Sequence, residues 1–111
     1  MNPGRLNKRV KILKFAKTPD GAGGYLDDWK TESGWELHST VWAEVHPLRG
    51  REFEQAKQSM GEVTHRITIR YKRDIDKSMI VVYNGRRFDI GYAINPEEKN
   101  AYLELMCVER V

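Results

Sequence analysis

The residues of this chain best able to do chemistry are three histidines and one cysteine, and their spacing argues against a reaction centre. His38, His46 and His65 fall on separate segments, without a His-Glu-x-x-His pattern and without a cysteine pair, so the donor spacing of a metal site is missing. His65 lies on the apolar face of an alternating segment, where a hydrogen-bonded core or rim role fits better than ligation. No glycine elbow presents a nucleophile. The carboxylate neighbours Asp27/Asp28 and Asp74/Asp76 fall in turns, where aspartate serves capping and turn chemistry. The run Thr18-Pro19-Asp20-Gly21-Ala22-Gly23-Gly24 lacks the Gly-Lys-Ser/Thr ending of a phosphate loop, and no long helix follows it. The expectation is a protein that is not an enzyme and needs no cofactor or metal.

The remaining chemistry is charge. The 111-residue chain is 40% hydrophobic and 32% charged, which suits one globular domain over residues 1–111. Its net charge is +3 with an isoelectric point of about 9.1. The charge is segregated. Residues 1–17 carry Arg5, Lys8, Arg9, Lys11, Lys14 and Lys17 without an acid, whereas residues 20–36 carry Asp20, Asp27, Asp28, Glu32 and Glu36 against Lys30. Opposite patches suit head-to-tail association of copies, with ordinary solvated faces as the alternative. A second basic set, Arg66, Arg70, Lys72, Arg86 and Arg87, could contact phosphates, with Tyr71, Tyr83, Phe88 and Tyr92 as stacking platforms if exposed. Alternation instead places these aromatics in a core, so a nucleic-acid-binding β module is the second reading. Cys107, between alternating Leu103 and Leu105, reads as a buried, inert thiol. There is neither an apolar leader behind the N-terminus nor a transmembrane run, so no membrane partner is expected.

These residues hang on short elements. Leu6 to Phe15 reads as a strand whose apolar residues switch face, suggesting a bulge or cover on both sides. Tyr25 to Trp29 reads as a short strand, Thr31 to Ser39 as an exposed loop, and Thr40 to His46 as a strand ended by Pro47. Arg51 to Gln58 reads as a helix with the narrow apolar stripe Phe53, Ala56 and Met60, broken by Gly61. From Glu62 to Lys72 the period is two, with Val63, His65, Ile67, Ile69 and Tyr71 on one face. Arg73 to Lys77 is a charged turn. Asn84-Gly85 between apolar runs signals a type I′ hairpin. Tyr92 to Asn95 reads as a separate strand, Asn95 to Asn100 as a turn, and Ala101 to Val108 as the last strand. The sum is a mainly β fold, a small antiparallel barrel or sandwich of six to seven strands with one short helix.

In this order the segments resemble the head-tail joining proteins of tailed bacteriophages, the head-completion or stopper family. The matching segments are Leu6-Asn7-Lys8-Arg9-Val10, Asp20-Gly21-Ala22-Gly23-Gly24-Tyr25, Val41-Trp42-Ala43-Glu44-Val45 with Pro47-Leu48, Gly50-Arg51-Glu52, Thr64 to Tyr71, Tyr83-Asn84-Gly85-Arg86-Arg87-Phe88, Ile94-Asn95-Pro96 and Leu103-Glu104-Leu105. The link Thr31 to Ser39 looks longer than the family's usual one. The resemblance implies a β-barrel subunit that self-associates into a ring at the phage neck. Its partners would be the portal or adaptor ring and tail proteins, with packaged DNA close by and not read for sequence. It places the protein in host cytoplasm during assembly and then in the virion neck. It also implies that Arg51, Glu52, Phe53, Glu54 and Lys57 belong to a channel-facing segment. Arg5, Lys8, Arg9, Lys11, Asp20, Asp27 and Asp28 are the expected contacts between subunits, and Arg66, Arg70, Lys72, Arg86 and Arg87 the expected DNA-proximal cations.

Overall fold

The computed structural model describes residues 3–15 and 34–110. Tyr25 to Trp29, the glycine-rich turn, and Asp20, Asp27 and Asp28 lie outside the described residues. The described elements are strands β1 (Lys8–Phe15) and β2 (Trp35–Pro47), helix α1 (Gly50–Met60), and strands β3 (His65–Arg70), β4 (Ile80–Tyr83), β5 (Arg86–Ile94) and β6 (Tyr102–Arg110). They form a closed antiparallel barrel in the order β1-β2-β3-β6-β5-β4, so the expected barrel is the fold found. Closure rests on a short ladder in which Lys11, Ile12 and Leu13 face Val82, Val81 and Ile80.

Alternation fills the barrel. Val10 and Ile12, Ala43, Ile67 and Ile69, Val81, Phe88 and Ile90, and Leu103, Leu105 and Cys107 form one buried cluster. Phe88 is its largest fully buried side chain. Ile75 and Met79 join the same cluster from the segment between β3 and β4. The expected charged turn there is thus also a plug: its aspartate organises the chain locally, with Asp76 accepting from the backbone of Ser78 at 2.8 Å, and its isoleucine is buried. Burial pushes the Cys107 thiol far above its ordinary range, as suits an unreactive core residue.

The structure corrects two element readings. Trp35 to Ser39 is not a loop but the first half of the long strand β2, paired with Phe15 to Ile12. A bulge lies in that ladder: Ile12 faces Ser39 and Leu13 faces Leu37, so His38 is the extra residue. The bulge sits on the partner of β1, while Ile12 and Leu13, adjacent and on opposite faces, are both buried. Polar composition hid this half-strand because its barrel-facing residues are few. Tyr92 to Ile94, in turn, is not a separate strand but the end of β5, displaced past a bulge at Gly91 where Ile90 faces Cys107 and Tyr92 faces Met106. A side chain at Gly91 would begin 3.2 Å from the Met106 carbonyl oxygen, so the two backbones approach too closely for one without adjustment. The hairpin at Asn84-Gly85 is as expected, with φ of 53° and 77° and Tyr83 facing Arg86.

Phe88→Ala should cost about 3–5 kcal/mol of unfolding free energy, the usual loss for emptying a buried aromatic site. Urea denaturation monitored by circular dichroism measures it. Ile67→Asp should leave no cooperative transition at all, because an unpaired charge would enter the barrel core.

Candidate functional site

Two surfaces carry what the sequence singled out. The first is the α1 excursion between β2 and β3. Its ends are tied together: Leu48 N–H donates to the Thr64 carbonyl at 2.9 Å, and Thr64 N–H donates to the Cys107 carbonyl at 2.8 Å. Gly61 ends the helix with φ of 79°, a conformation that favours glycine. One face of the helix rests on the outside of the barrel, where Leu48, Ala56, Val63 and Met106 form a small second cluster joined by half-buried Phe53 and Ile94. Phe53 therefore does not face outward with the charged residues beside it; it helps seat the helix. The signal was Met106, an apolar residue on the face opposite Leu105 that an isolated barrel would expose.

Glu52 pins the first helical turn. His46 Nε2 lies 3.0 Å from one carboxylate oxygen, and Arg66 donates to the other at 3.5 Å. The His46 hydrogen bond, with Arg66 nearby, holds the Glu52 carboxyl below its usual range. Its position in the first turn also favours the helix dipole. Arg51, Glu54 and Lys57 are exposed. The excursion thus presents alternating charges outward and is fastened by a thin apolar contact and one carboxylate.

The second surface is the set of cations, and the structure splits it. Arg66 is engaged by Glu52. Arg86 donates to both Glu109 oxygens, at 2.8 and 2.9 Å, and its guanidinium lies 5.1 Å from the Phe88 ring centroid. Arg87 donates to Asp89 at 2.8 Å, and Arg110 donates to the other oxygen of Asp89 at 2.7 Å. Three of the five expected DNA-proximal cations are therefore held by carboxylates. Of that set, Arg70 is exposed and Lys72 half-buried. Of the expected subunit contacts, Arg5 pairs with Glu44 at 2.9 Å, while Lys8, Arg9 and Lys11 are exposed. The proposed stacking aromatics mostly serve the core: Phe88 is buried, Tyr71 and Tyr83 pack against it, and only Tyr92 of the four is exposed. The exposed aromatic that sequence reasoning missed is Trp42, 52% exposed and covered on one side by the Arg9 guanidinium at 4.9 Å. The signal was its alternation with Val41 and Ala43, which sends it outward.

His65 is a structural residue. Its ring meets Phe88 edge-on at 4.9 Å, and its Nδ1 lies 2.9 Å from the Thr64 hydroxyl. That hydroxyl oxygen accepts from the backbone of Glu109 at 2.8 Å. Burial holds the His65 pKa below its ordinary value, with Glu109 opposing and Arg86 reinforcing the shift. Among the described residues, no group of three or more His, Cys, Asp or Glu side chains is placed to hold a metal ion.

A sequence profile of the phage head completion protein family matches residues 1–110. Head completion protein gp7 of Enterobacteria phage HK97 is 30% identical over 115 residues, covering 96% of this chain and 95% of that protein. The solution structure of protein SF1141 from Shigella flexneri 2a superposes with a TM-score of 0.76 at 30% identity, covering 98% of this chain and 96% of that one. A chain from the virion of a native gene transfer agent particle shares the fold, with a TM-score of 0.58 at 23% identity over 91% of each chain.

The ionisable network sets a pH dependence. A histidine with a depressed folded pKa binds its proton more readily when unfolded, so stability is full above the ordinary value of 6.5 and falls as the pH drops toward the folded value. A second loss follows below the ordinary carboxylate range. The Arg86 hydrogen bond holds Glu109 down; burial would raise Asp89, but the bonds from Arg110 and Arg87 outweigh it. Thermal melts between pH 8 and pH 3 should show both losses as separate falls in Tm. His65→Leu should flatten the first fall and keep the second.

Proposed function

The chain belongs to the phage head completion protein family, and on that premise we propose that it is a ring subunit of the neck, completing the packaged head and offering the tail its docking surface. The coarser part is a structural role in virion assembly. The observation that carries the rest is the family match over residues 1–110, which includes the α1 excursion as well as the barrel. The ring sits against the portal or its adaptor, around the DNA exit channel. Subunits enter it from the host cytoplasm and remain in the virion.

In this reading α1 is the element turned to the channel. A helix of this length is marginal on its own and draws its order from what it packs on. Here that is one small cluster and the Glu52 contacts, so the excursion can be rearranged without opening the barrel. Arg51, Glu54 and Lys57 then meet neighbouring copies or DNA. The engagement of Arg66, Arg86 and Arg87 by carboxylates weighs against the alternative of a free-standing nucleic-acid module, since each phosphate contact there would compete with an existing ion pair.

The free subunit should sediment mainly as a monomer at micromolar concentration, because a small contact between subunits becomes stable only when a template aligns many copies. Its affinity for short duplex DNA at physiological salt should be no tighter than about 10⁻⁵ M, the nonspecific range. Submicromolar binding in a fluorescence titration would favour the nucleic-acid module instead. Deleting Arg51–Gln58 should leave a folded barrel but heads that leak DNA. Amide exchange on the free protein should be faster over residues 51–58 than over 65–70; equal protection would make the helix part of the core and remove the channel role.

A further inference from the structure

The strands β2 and β3 part company at one end of the barrel. Their ladder runs from Pro47↔His65 to Ala43↔Ile69 and stops. Beyond it β2 continues as a strand back to Trp35, paired on its other side with β1. The chain after β3 turns away instead, with Tyr71 N–H donating to the Ala101 carbonyl at 3.1 Å. Among the described residues, the outer edge of β2 from Trp35 to Trp42 therefore has no strand beside it. The segment after β3 does reach β2 at His38, whose Nε2 lies 2.8 Å from an Asp74 carboxylate oxygen, so the open part of the edge is the Thr40–Trp42 end. A groove opens in the split, lined by Arg9, Thr40, Trp42, Arg70, Tyr71 and Lys72. It combines a strand edge without a ladder partner, a half-exposed tryptophan and three basic side chains, Arg9 and Arg70 exposed and Lys72 half-buried with Asp74 nearby.

A strand edge takes an extended segment through main-chain hydrogen bonds, and the flanking side chains choose which one. Arg9, Arg70 and Lys72 select acid. Trp42 selects an apolar or aromatic neighbour, and Trp and Arg are the residues that dominate interface energies. We propose that this groove is the socket for the acidic stretch Tyr25–Glu32 of a second copy, which adds to the outer edge of β2 by strand addition. The inference rests on the ring reading above and names its contact. Residues 20–33 carry Asp20, Asp27, Asp28 and Glu32 against Lys30. In an extended Tyr25-Leu26-Asp27-Asp28-Trp29 the period of two would set Tyr25, Asp27 and Trp29 on one face and Leu26 and Asp28 on the other, so either face offers both acid and apolar surface. The chain leaves the barrel at Phe15 and returns at Trp35, which face one another. The eighteen residues of 16–33 can carry their tip roughly 30 Å outward, at about 3.3 Å per extended residue over half the segment. That span reaches a neighbouring subunit, and the arrangement is heterologous: each copy gives an arm and receives one, which is the geometry of a ring.

The test uses the full chain in three forms: wild type, a socket variant (R70E with K72E) and an arm variant (D27K with D28K). Both variants change charge at the surface or outside the barrel, and thermal melts check that each folds. Sedimentation equilibrium from about 10 µM to 1 mM at low salt should show wild type self-associating weakly. Association should weaken about tenfold or more between 50 and 500 mM salt, as for contacts steered by charge. Each variant alone should stay monomeric. In the 1:1 mixture the reversed socket meets the reversed arm, and the intact socket meets the intact arm, so association should return. The proposal fails if the socket variant associates as wild type does, or if the mixture stays monomeric. It also fails if D27K with D28K shifts the Trp42 indole resonance of the dilute monomer, which would place the arm in its own socket. Loss of binding to a short DNA duplex in the socket variant, with self-association unchanged, would assign the groove to nucleic acid instead. Normal incorporation of the socket variant into heads would sink this contact while leaving the neck role intact; failure of wild type to join a portal complex would sink the neck role itself.

Discussion

Everything in this molecule depends on closing a barrel with a very short seam. Only Lys11 to Leu13 and Ile80 to Val82 join the first strand to the fourth. An open six-stranded sheet would leave β1 and β4 as bare edges; closure pairs them with each other. So small a ladder does not hold the barrel by hydrogen bonding alone. Ile12 and Val81, opposite each other in the seam, are both fully buried in the central cluster with Phe88, so the seam is fixed by what it encloses. The two bulges, at His38 and Gly91, contribute in another way. Each adds one residue to one strand, increasing local twist and bending the sheet toward itself.

The core could be read from the sequence because its period is the period of a strand. His65, Ile67 and Ile69 are buried as their alternation requires, whereas Val63, ahead of β3, is buried under α1 outside the barrel; the Asn84-Gly85 turn carries its own backbone demand. What failed to show was whatever depends on a second layer. Met106 looks like a solvent-facing residue of β6 until α1 is laid over it, and α1 looks unanchored until Met106 is known to be beneath it. Each makes sense only through the other, and no window of sequence contains both. Trp35 to Ser39 was missed for a related reason: a strand paired on one side at the end of a barrel has no need of alternating apolar residues.

The cations show the same division. Arg66, Arg86 and Arg87 read as a basic stripe because their partners, Glu52, Glu109 and Asp89, come from other segments or lie two residues away on the same strand. Folding pairs that stripe with carboxylates and leaves Arg9 and Arg70 beside an outward tryptophan, with Lys8 and Lys11 exposed on the same strand as Arg9. Net charge describes the chain; which charges remain available to a partner is a property of the register.

The pinch at Leu48 and Thr64 has a further meaning. Because the two ends of the α1 excursion bond to each other and to Cys107, the residues between them form a closed side branch that rests on the barrel through Met106 and Ile94 but whose length does not enter the strand register. Doubling such a branch costs only about 0.6 kcal/mol in closure entropy. The strands would keep their register whether the branch held one turn of helix or five. The same barrel is thereby able to accept a longer or shorter insertion at a single point, with its core left untouched.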